Sequence, residues 1–320
     1  MQENINGVEL SKNRTLAVKA NNLLLTTVLC YIGAPSLLQL FASLWGKKLP
    51  FLEDSMFLLL AGQIALLAPS IVYFVKNKIN IVEFLRIKML KPLTWILIIV
   101  FAYVSYPIIS LCNYLSLRVS ENLIDTTVEN ILENYPLILC VIAVALIPCI
   151  VEETIFRGVM YNSYKKNGFI KALIMTALLF GMFHMNINQM SYAIVIGLLF
   201  VCLNEATGSI LSSIFMHFII NGTSIIASAV VYKQQGTLEV KAAESVAADG
   251  NILKYLLVAS AFCVVILALL LIGITKIEQR ENAIASLKQS LKGEGSICSP
   301  ELIVVIVICV VFICLSQIRV

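Results

Sequence analysis

The chain has 320 residues, of which 59% are apolar and 13% charged, and its mean hydropathy is +0.92. Soluble domains typically contain about 45–50% apolar and about 25% charged residues, so this composition excludes an ordinary soluble domain and indicates an integral membrane protein. The net charge of +4 then bears on orientation in the bilayer rather than on nucleic-acid binding, and we predict no nucleic-acid partner.

Apolar runs long enough to cross a bilayer recur along the whole chain. A transmembrane helix needs roughly 17–25 residues, whereas barrel strands alternate over about 10. The first run is too long for the core of a signal peptide, so we interpret it as an uncleaved signal anchor. We predict an all-α polytopic transmembrane bundle of eight or nine spans, at residues 22–45, 55–75, 93–117, 136–161, 169–185, 190–203, 209–231, 253–275 and 302–318.

The distribution of basic residues predicts the orientation of these spans. With the N-terminus in the cytoplasm, most of the 23 Lys and Arg residues fall on the inner side, as the positive-inside rule requires. We interpret the polar stretches 232–251 and 276–299 as an outer loop and an inner connector. The chain then divides into N-terminal helices (1–134), a core (135–231), and the outer loop with C-terminal helices (232–320), whose two spans we expect to be lipid-facing supports.

One apolar run contains ionisable residues that are costly to bury. Glu152, Glu153 and Arg157 lie within 136–161. A charge near the bilayer centre costs from about 2.5 to more than about 10 kcal/mol, so such residues usually face a protein interior and have a function. The two histidines of the chain, His184 and His217, also lie in apolar runs. We therefore predict a polar site inside the membrane, built from three helices.

Helical spacing predicts how these side chains are arranged. Residues four apart share a helix face, so we expect Glu153 next to Arg157 and His217 next to Asn221. Glu152 and Glu153 differ by about 100° around the helix axis. One of the two carboxylates can therefore face a cavity while the other pairs with Arg157.

The depth of each side chain in the membrane follows from the helix rise. Glu152 and His184 lie at equal sequence distances on either side of Gly168, where we place a turn. At 1.5 Å per residue, both rise about 20 Å from that turn, and Asn221 rises about as far from a second turn near Gly208. Equal depth allows these side chains to meet.

Several other residues carry weaker expectations. Pro148 tends to kink its helix, and the kink either opens room for water or only bends the span. Gln63, Gln189 and Tyr192 are candidates to line the cavity, and Glu205, at a predicted turn, is expected to be solvated. Most of the nine cysteines lie in apolar runs, where we expect them to act as small hydrophobes.

The predicted set of side chains suits peptide hydrolysis without a covalent intermediate. A carboxylate and an imidazole in a dry pocket can hold and deprotonate a water molecule, and an imidazole N–H with an Asn amide can stabilise the oxyanion. A nucleophile-based site is less well supported, because the sequence contains no G-x-S-x-G turn. We predict no cofactor. A zinc site formed by Glu152, His184 and His217 is the alternative.

The motifs resemble a known family. In order along the chain they are Glu-Glu-x-x-x-Arg from Glu152, Phe-x-x-x-His from Phe180 and His-x-x-x-Asn from His217. This set is similar to the CAAX protease and bacteriocin-processing family of intramembrane proteases, which includes the Ras-converting CAAX prenyl endopeptidase. The resemblance covers residues 136–228.

The resemblance implies a role for each motif residue. It implies that Glu152 and His184 activate water, that His217 and Asn221 form the oxyanion hole, and that Glu153 and Arg157 support the site. The expected activity is glutamate-dependent cleavage of a membrane-associated peptide or protein, and the lipid bilayer is the expected surrounding. The Ile-, Asn- and Lys-rich usage suggests a multi-pass protein of a bacterial plasma membrane.

Two other functions fit some of the same features. Carboxylates and histidines at mid-depth also build proton relays in transporters, although the second half of the chain does not mirror the first. A catalytically silent immunity or scaffold protein that binds a membrane peptide is the other alternative.

Overall fold

The computed structural model describes residues 2–44, 50–120, 125–238, 250–289, 291, 293 and 295–318. Every regular element in these ranges is helical, which confirms the predicted all-α class. The predicted outer loop lies largely outside the described residues, since 239–249 are among those not covered. Residues 290, 292 and 294 of the inner connector also lie outside the described residues, as do residues 121–124 after the third span.

We number the helices of the described ranges in chain order. Short 3-10 turns, such as Pro50–Leu52, are left unnumbered. The helices are α1 (Gln2–Leu44), α2 (Ser55–Lys76), α3 (Ile81–Phe84), α4 (Pro92–Ser116), α5 (Asp125–Asn134), α6 (Leu137–Asn167), α7 (Phe169–Met182), α8 (Ile187–Thr207), α9 (Ile210–Gln235), α10 (Gly250–Ile277), α11 (Glu281–Gln289) and α12 (Pro300–Ile318).

Eight helices in the described residues are long and apolar enough to cross a membrane: α1, α2, α4, α6, α8, α9, α10 and α12. The remaining predicted span corresponds to α7, which has only 14 residues. At 1.5 Å per residue it covers about 21 Å, less than the ~30 Å hydrocarbon thickness. The predicted orientation of the N-terminus stays a prediction.

Two helices form the centre of the bundle. In the most apolar stretch of α6, 50% of the residues are buried in the protein, and in that of α8, 56% are buried. In the other long helices the buried share of the corresponding stretch ranges from 17% to 33%. Helix α6 packs against α1, α2, α7, α8 and α9. In the last two spans, α10 and α12, only 17% and 22% of the most apolar stretch is buried. This agrees with the lipid-facing position expected for them.

Helix α6 changes its winding twice around the glutamate pair. The segment Ile142–Leu146 is π-helical, Ile147–Glu153 is α-helical, and Thr154–Tyr161 is π-helical again. In the first π turn the Ile147 amide donates to the Ile142 carbonyl. Pro148 has no N–H to donate. The wide turn directly before it allows the helix to continue without that hydrogen bond. Single π turns often occur at functional sites.

Helices α7 and α8 approach each other closely at a glycine. A Cβ atom built on Gly181 would lie 2.5 Å from Cγ1 of Ile194 and 2.9 Å from the backbone oxygen of Met190. The side chain of Ile194 can move, but the Met190 carbonyl belongs to the facing helix. Only glycine therefore fits at 181 without moving α8, and α7 carries His184 at its end.

We predict that Gly181→Ala destabilises the protein by about 1–3 kcal/mol, the usual cost of overpacking a tight contact. Thermal unfolding of the purified protein in detergent, followed by size-exclusion chromatography, measures the effect. Gly273→Ala is the matched control, because a Cβ at Gly273 meets nothing within 4 Å. Equal unfolding temperatures for the two variants would contradict the predicted clash.

The expectation that Glu205 is solvated is wrong. Its side chain is 2% exposed and pairs with Arg86 at 3.0 Å and with Lys165 at 2.7 Å. Glu205 lies in the last turn of α8, and the chain entering α4 and the end of α6 supply the two cations that cover it. The predicted turn at Glu205 therefore did not indicate that the side chain of Glu205 is buried.

We predict that Glu205→Gln destabilises the protein by about 1–2 kcal/mol, less than for a fully buried pair, because the Arg86 and Lys165 side chains it leaves unpaired are 25% and 27% exposed and keep part of their hydration. The loss should show as a lower unfolding temperature and a lower yield of folded protein. Glu53→Gln provides the comparison, because Glu53 is exposed. If both variants unfold like the parent, the Glu205 ion pairs do not contribute to stability.

Candidate active site

The buried part of the site is an ion pair on α6. The Nη1 atom of Arg157 lies 2.8 Å from Oε1 of Glu153, and both side chains are fully buried. The guanidinium carbon of Arg157 lies 4.1 Å from the ring centre of Phe180 and 4.8 Å from that of Phe200. Such cation–π contacts partly replace the water that a buried cation loses. The pair is thus enclosed behind the cavity described next.

Glu152 points the other way. Its side chain is 15% exposed and lines a cavity of about 420 Å³, a size typical of small-ligand sites at roughly 300–1,000 Å³. The adjacent glutamates are thus divided as the helix geometry predicted, one facing the cavity and one pairing with Arg157. Gln63, Gln189 and Tyr192, which the sequence offered as cavity residues, also line it.

The predicted span 169–185 placed His184 within a helix. In the structure His184 lies instead in the turn just after α7. Its backbone amide donates to the Gly181 carbonyl, which ends the helix. The ring nitrogen Nδ1 lies 2.8 Å from the Phe180 carbonyl oxygen. Because a carbonyl only accepts, Nδ1 carries a proton and donates. In the neutral ring, Nε2 then holds a free lone pair on a residue that lines the cavity.

His217 connects the two glutamates. Its Nδ1 lies 3.2 Å from Oε1 of Glu153 and its Nε2 lies 4.0 Å from Oε2 of Glu152. When Glu153 is ionised, as its pairing with Arg157 favours, Nδ1 must be the donor in the first contact. Nε2 can then donate to a further group only if His217 is an imidazolium. The positive charge of the imidazolium would balance the negative charge of Glu152, since Arg157 already balances that of Glu153.

Asn221 completes the cavity face of α9, four residues after His217. Glu152, His184, His217 and Asn221 all line the same cavity. The structure therefore brings Glu152, His184 and Asn221, which the depth argument placed at one level, into one cavity together with His217. Arg157 and its partner lie behind them. Their roles in catalysis stay predictions at this point.

The polar cavity residues Tyr31, Thr127 and Asn186 were not identified from the sequence. Tyr31 comes from α1, its ring centre 5.6 Å from that of Phe183, and Asn186 comes from the turn before α8. Tyr31 is far from the motifs along the chain, so spacing could not place it there. Asn186 could have been found by its position, because Asn directly before an apolar helix is a typical N-cap.

A thiol and a metal site were the other options for this chemistry. Cys149 lies beside His217, but it is buried, and its Sγ is 2.7 Å from the Ala145 carbonyl oxygen. Among the residues that the structure describes, no three His, Cys, Asp or Glu side chains are arranged to hold a metal ion. The prediction of no cofactor and the zinc alternative both stay predictions.

Comparison with known proteins supports the resemblance read from the motifs. Residues 134–223 match the family model described as type II CAAX prenyl endopeptidase Rce1-like. This segment is therefore similar to the CAAX protease family. It contains all seven motif residues and implies a membrane-embedded protease. No curated protein and no solved structure matches the chain.

The enclosed ion pair of Glu153 and Arg157 leads to a testable prediction. Arg157→Met leaves the Glu153 carboxylate buried with His217 alone, and we expect a loss of about 3 kcal/mol, as for other broken buried pairs. Adding Glu153→Gln removes that charge. We therefore expect the double variant to be more stable than Arg157→Met, with a coupling energy of about 1–3 kcal/mol.

The four proteins of this cycle are compared by thermal unfolding in detergent at one pH and lipid content. Glu83→Gln, a change of the same kind at an exposed position, controls for the loss of a carboxylate as such. Strictly additive effects of Glu153→Gln and Arg157→Met would show that the two side chains do not stabilise each other.

Proposed function

We propose that the chain is a glutamate-dependent intramembrane endopeptidase that cleaves a membrane-associated protein or peptide. One observation supports this most strongly: an unpaired carboxylate oxygen, an imidazole lone pair and a carboxamide surround one cavity inside an apolar bundle. The family match supports proteolysis in general. The assignment of individual residues and of the reaction type is our inference from the geometry.

In the proposed reaction, Glu152 and His184 activate a water molecule. Oε2 of Glu152 is buried and makes no hydrogen bond within the described part of the chain, and Nε2 of His184 has its lone pair available. Water placed between them can give up a proton as its oxygen attacks the carbonyl carbon of the peptide bond. Apolar walls keep bulk water away and strengthen these interactions.

The tetrahedral intermediate carries a negative oxygen that needs hydrogen-bond donors. The amide group of Asn221 and the Nε2–H of protonated His217 can supply them. Glu153 fixes the ring of His217 through Nδ1, and Arg157 fixes Glu153. The proton taken from water then passes to the leaving amine as the C–N bond breaks, so the products are a carboxylic acid and an amine.

We predict that Glu152→Gln and His184→Ala each lower the rate of peptide cleavage at least 100-fold, the scale expected for loss of an acid–base group. For Asn221→Ala we expect about 100- to 1,000-fold, the usual effect of an oxyanion donor. Cleavage is measured with purified protein in liposomes against internally quenched peptides. The panel includes unmodified apolar peptides and a peptide with a farnesylated C-terminal cysteine.

Cys149→Ser is the control for this series, because it keeps a hydrogen-bonding group beside His217 and removes only the thiol, which has no part in the proposed reaction. It should cleave within about threefold of the parent, a range too small for loss of a catalytic group. A 100-fold loss in this variant would instead favour a cysteine nucleophile.

Other outcomes separate the rival functions. If the parent cleaves no peptide but carries protons across the liposome membrane in a manner that Glu152→Gln abolishes, the chain is a transporter. If cells carrying Glu152→Gln and His184→Ala keep the wild-type phenotype, a non-catalytic binding role replaces the enzyme. Location in a bacterial plasma membrane belongs to the same proposal and is tested by membrane fractionation.

A further inference from the structure

Two carboxamide side chains outside the family motifs face the cavity with unpaired polar atoms. Oε1 of Gln63 and Nδ2 of Asn186 are buried and have no hydrogen-bond partner among the described residues. Gln63 is 8% exposed and Asn186 is 4% exposed, and both line the cavity with Glu152. Buried polar atoms are normally hydrogen-bonded, so each such exception requires an explanation.

The orientation of Asn186 follows from its position before α8. Its Oδ1 accepts a hydrogen bond from the Gln189 backbone amide at 3.1 Å and caps the helix. The oxygen of the carboxamide is therefore assigned by chemistry, since only an oxygen can accept there. The nitrogen is left as the unpaired atom, and it is a donor.

Gln63 supplies the opposite kind of atom. It comes from α2, on a different wall of the cavity, and its unpaired Oε1 is an acceptor. One acceptor and one donor match the N–H and C=O groups that an extended peptide backbone presents. Gln63 lies outside the segment that matches the family model, which starts at residue 134. Asn186 is inside that segment, two residues after His184.

The rest of the cavity surface indicates which peptides fit. Among the described lining residues, Glu152 is the sole carboxylate, and neither Lys nor Arg is present. Leu59, Leu66, Val144 and Ile196 provide apolar surface. Away from Glu152 and the two histidines, which act in the proposed reaction, a charged peptide side chain would lose its hydration without gaining an opposite charge, whereas an apolar side chain would gain from burial.

We propose that Gln63 and Asn186 form a binding site for the backbone of an extended, apolar peptide segment next to the bond that is cleaved. This rests on the proposed function and deepens it by naming the substrate class and two positioning residues. Gln63 accepts from a backbone N–H of the peptide, and Asn186 donates to a backbone carbonyl. Backbone recognition selects an unfolded segment rather than a transmembrane helix, whose backbone groups are already paired.

The test measures binding rather than cleavage, so that it does not depend on turnover. The protein carries Glu152→Gln and is held in lipid nanodiscs. The probes are a library of fluorescein-labelled, uncharged apolar decapeptides, and binding is followed by fluorescence anisotropy. For the tightest-binding peptide, we expect Gln63→Leu and Asn186→Asp each to weaken affinity about 5- to 10-fold, the effect of one lost hydrogen bond.

Two features of the variants guard against a simple folding defect. Asn186→Asp keeps the Oδ1 acceptor that caps α8, since Asp is also a good N-cap, and replaces the amide donor by a second acceptor oxygen of a carboxylate. Gln39→Leu makes the same change as Gln63→Leu at an exposed position of α1. It should bind the peptide with unchanged affinity.

An ester scan of the same peptide identifies the hydrogen bond itself. Replacing one backbone N–H at a time by an ester oxygen should weaken binding about 5- to 10-fold at one position. That loss should vanish in Gln63→Leu, because the acceptor is already gone. A merely structural role of Gln63 would not produce this position-specific coupling.

Each remaining outcome decides the matter. Unchanged affinity in Gln63→Leu and Asn186→Asp, an ester scan that is identical with and without Gln63, or no peptide binding at all would overturn the backbone site. If the expected binding losses appear while the parent protein, with Glu152 intact, cleaves none of these peptides, the backbone site is supported and the proposed protease activity fails.

Discussion

A charged side chain inside a lipid-embedded bundle loses its hydration, and the cost must be offset by partners in the protein. Arg157 is fully buried, and Glu153, Phe180 and Phe200 surround it. These partners come from α6, α7 and α8, and His217 adds α9 through its contact with Glu153. One buried ion pair therefore fixes four helices relative to one another, and the cavity is formed between them.

The backbone is irregular where the site needs it. Helix α6 carries Glu152 between two π-helical segments, and α7 ends at Met182 so that His184 lies in a turn. Non-helical backbone at membrane depth is tolerated only where protein or a polar cavity satisfies its polar groups. The Phe180 carbonyl, released by the end of α7, is satisfied by the His184 ring. The same hydrogen bond fixes the tautomer that leaves Nε2 unprotonated.

The sequence predicted the class, the spans and the division between the two glutamates, because these follow from apolar run length and helix periodicity. It also predicted which side chains share one cavity, because helix rise converts sequence distance into depth. It failed for Glu205, whose cations Arg86 and Lys165 come from distant segments. It did not find Tyr31 for the same reason. Tertiary partners leave no periodic signal in a single sequence.

The adjacent glutamates have different environments, and this difference places His217 at the centre of the electrostatics. Glu153 is enclosed with Arg157, so their charges cancel, whereas Glu152 faces the cavity with no cation of its own among the described residues except His217, at 4.0 Å. Nδ1 of His217 is already engaged by Glu153. A second proton on His217 would therefore balance the negative charge of Glu152 and, in the proposed reaction, supply a hydrogen-bond donor for the oxyanion. The enclosed pair thereby sets the ring orientation on which both effects depend, although neither Glu153 nor Arg157 touches the cavity.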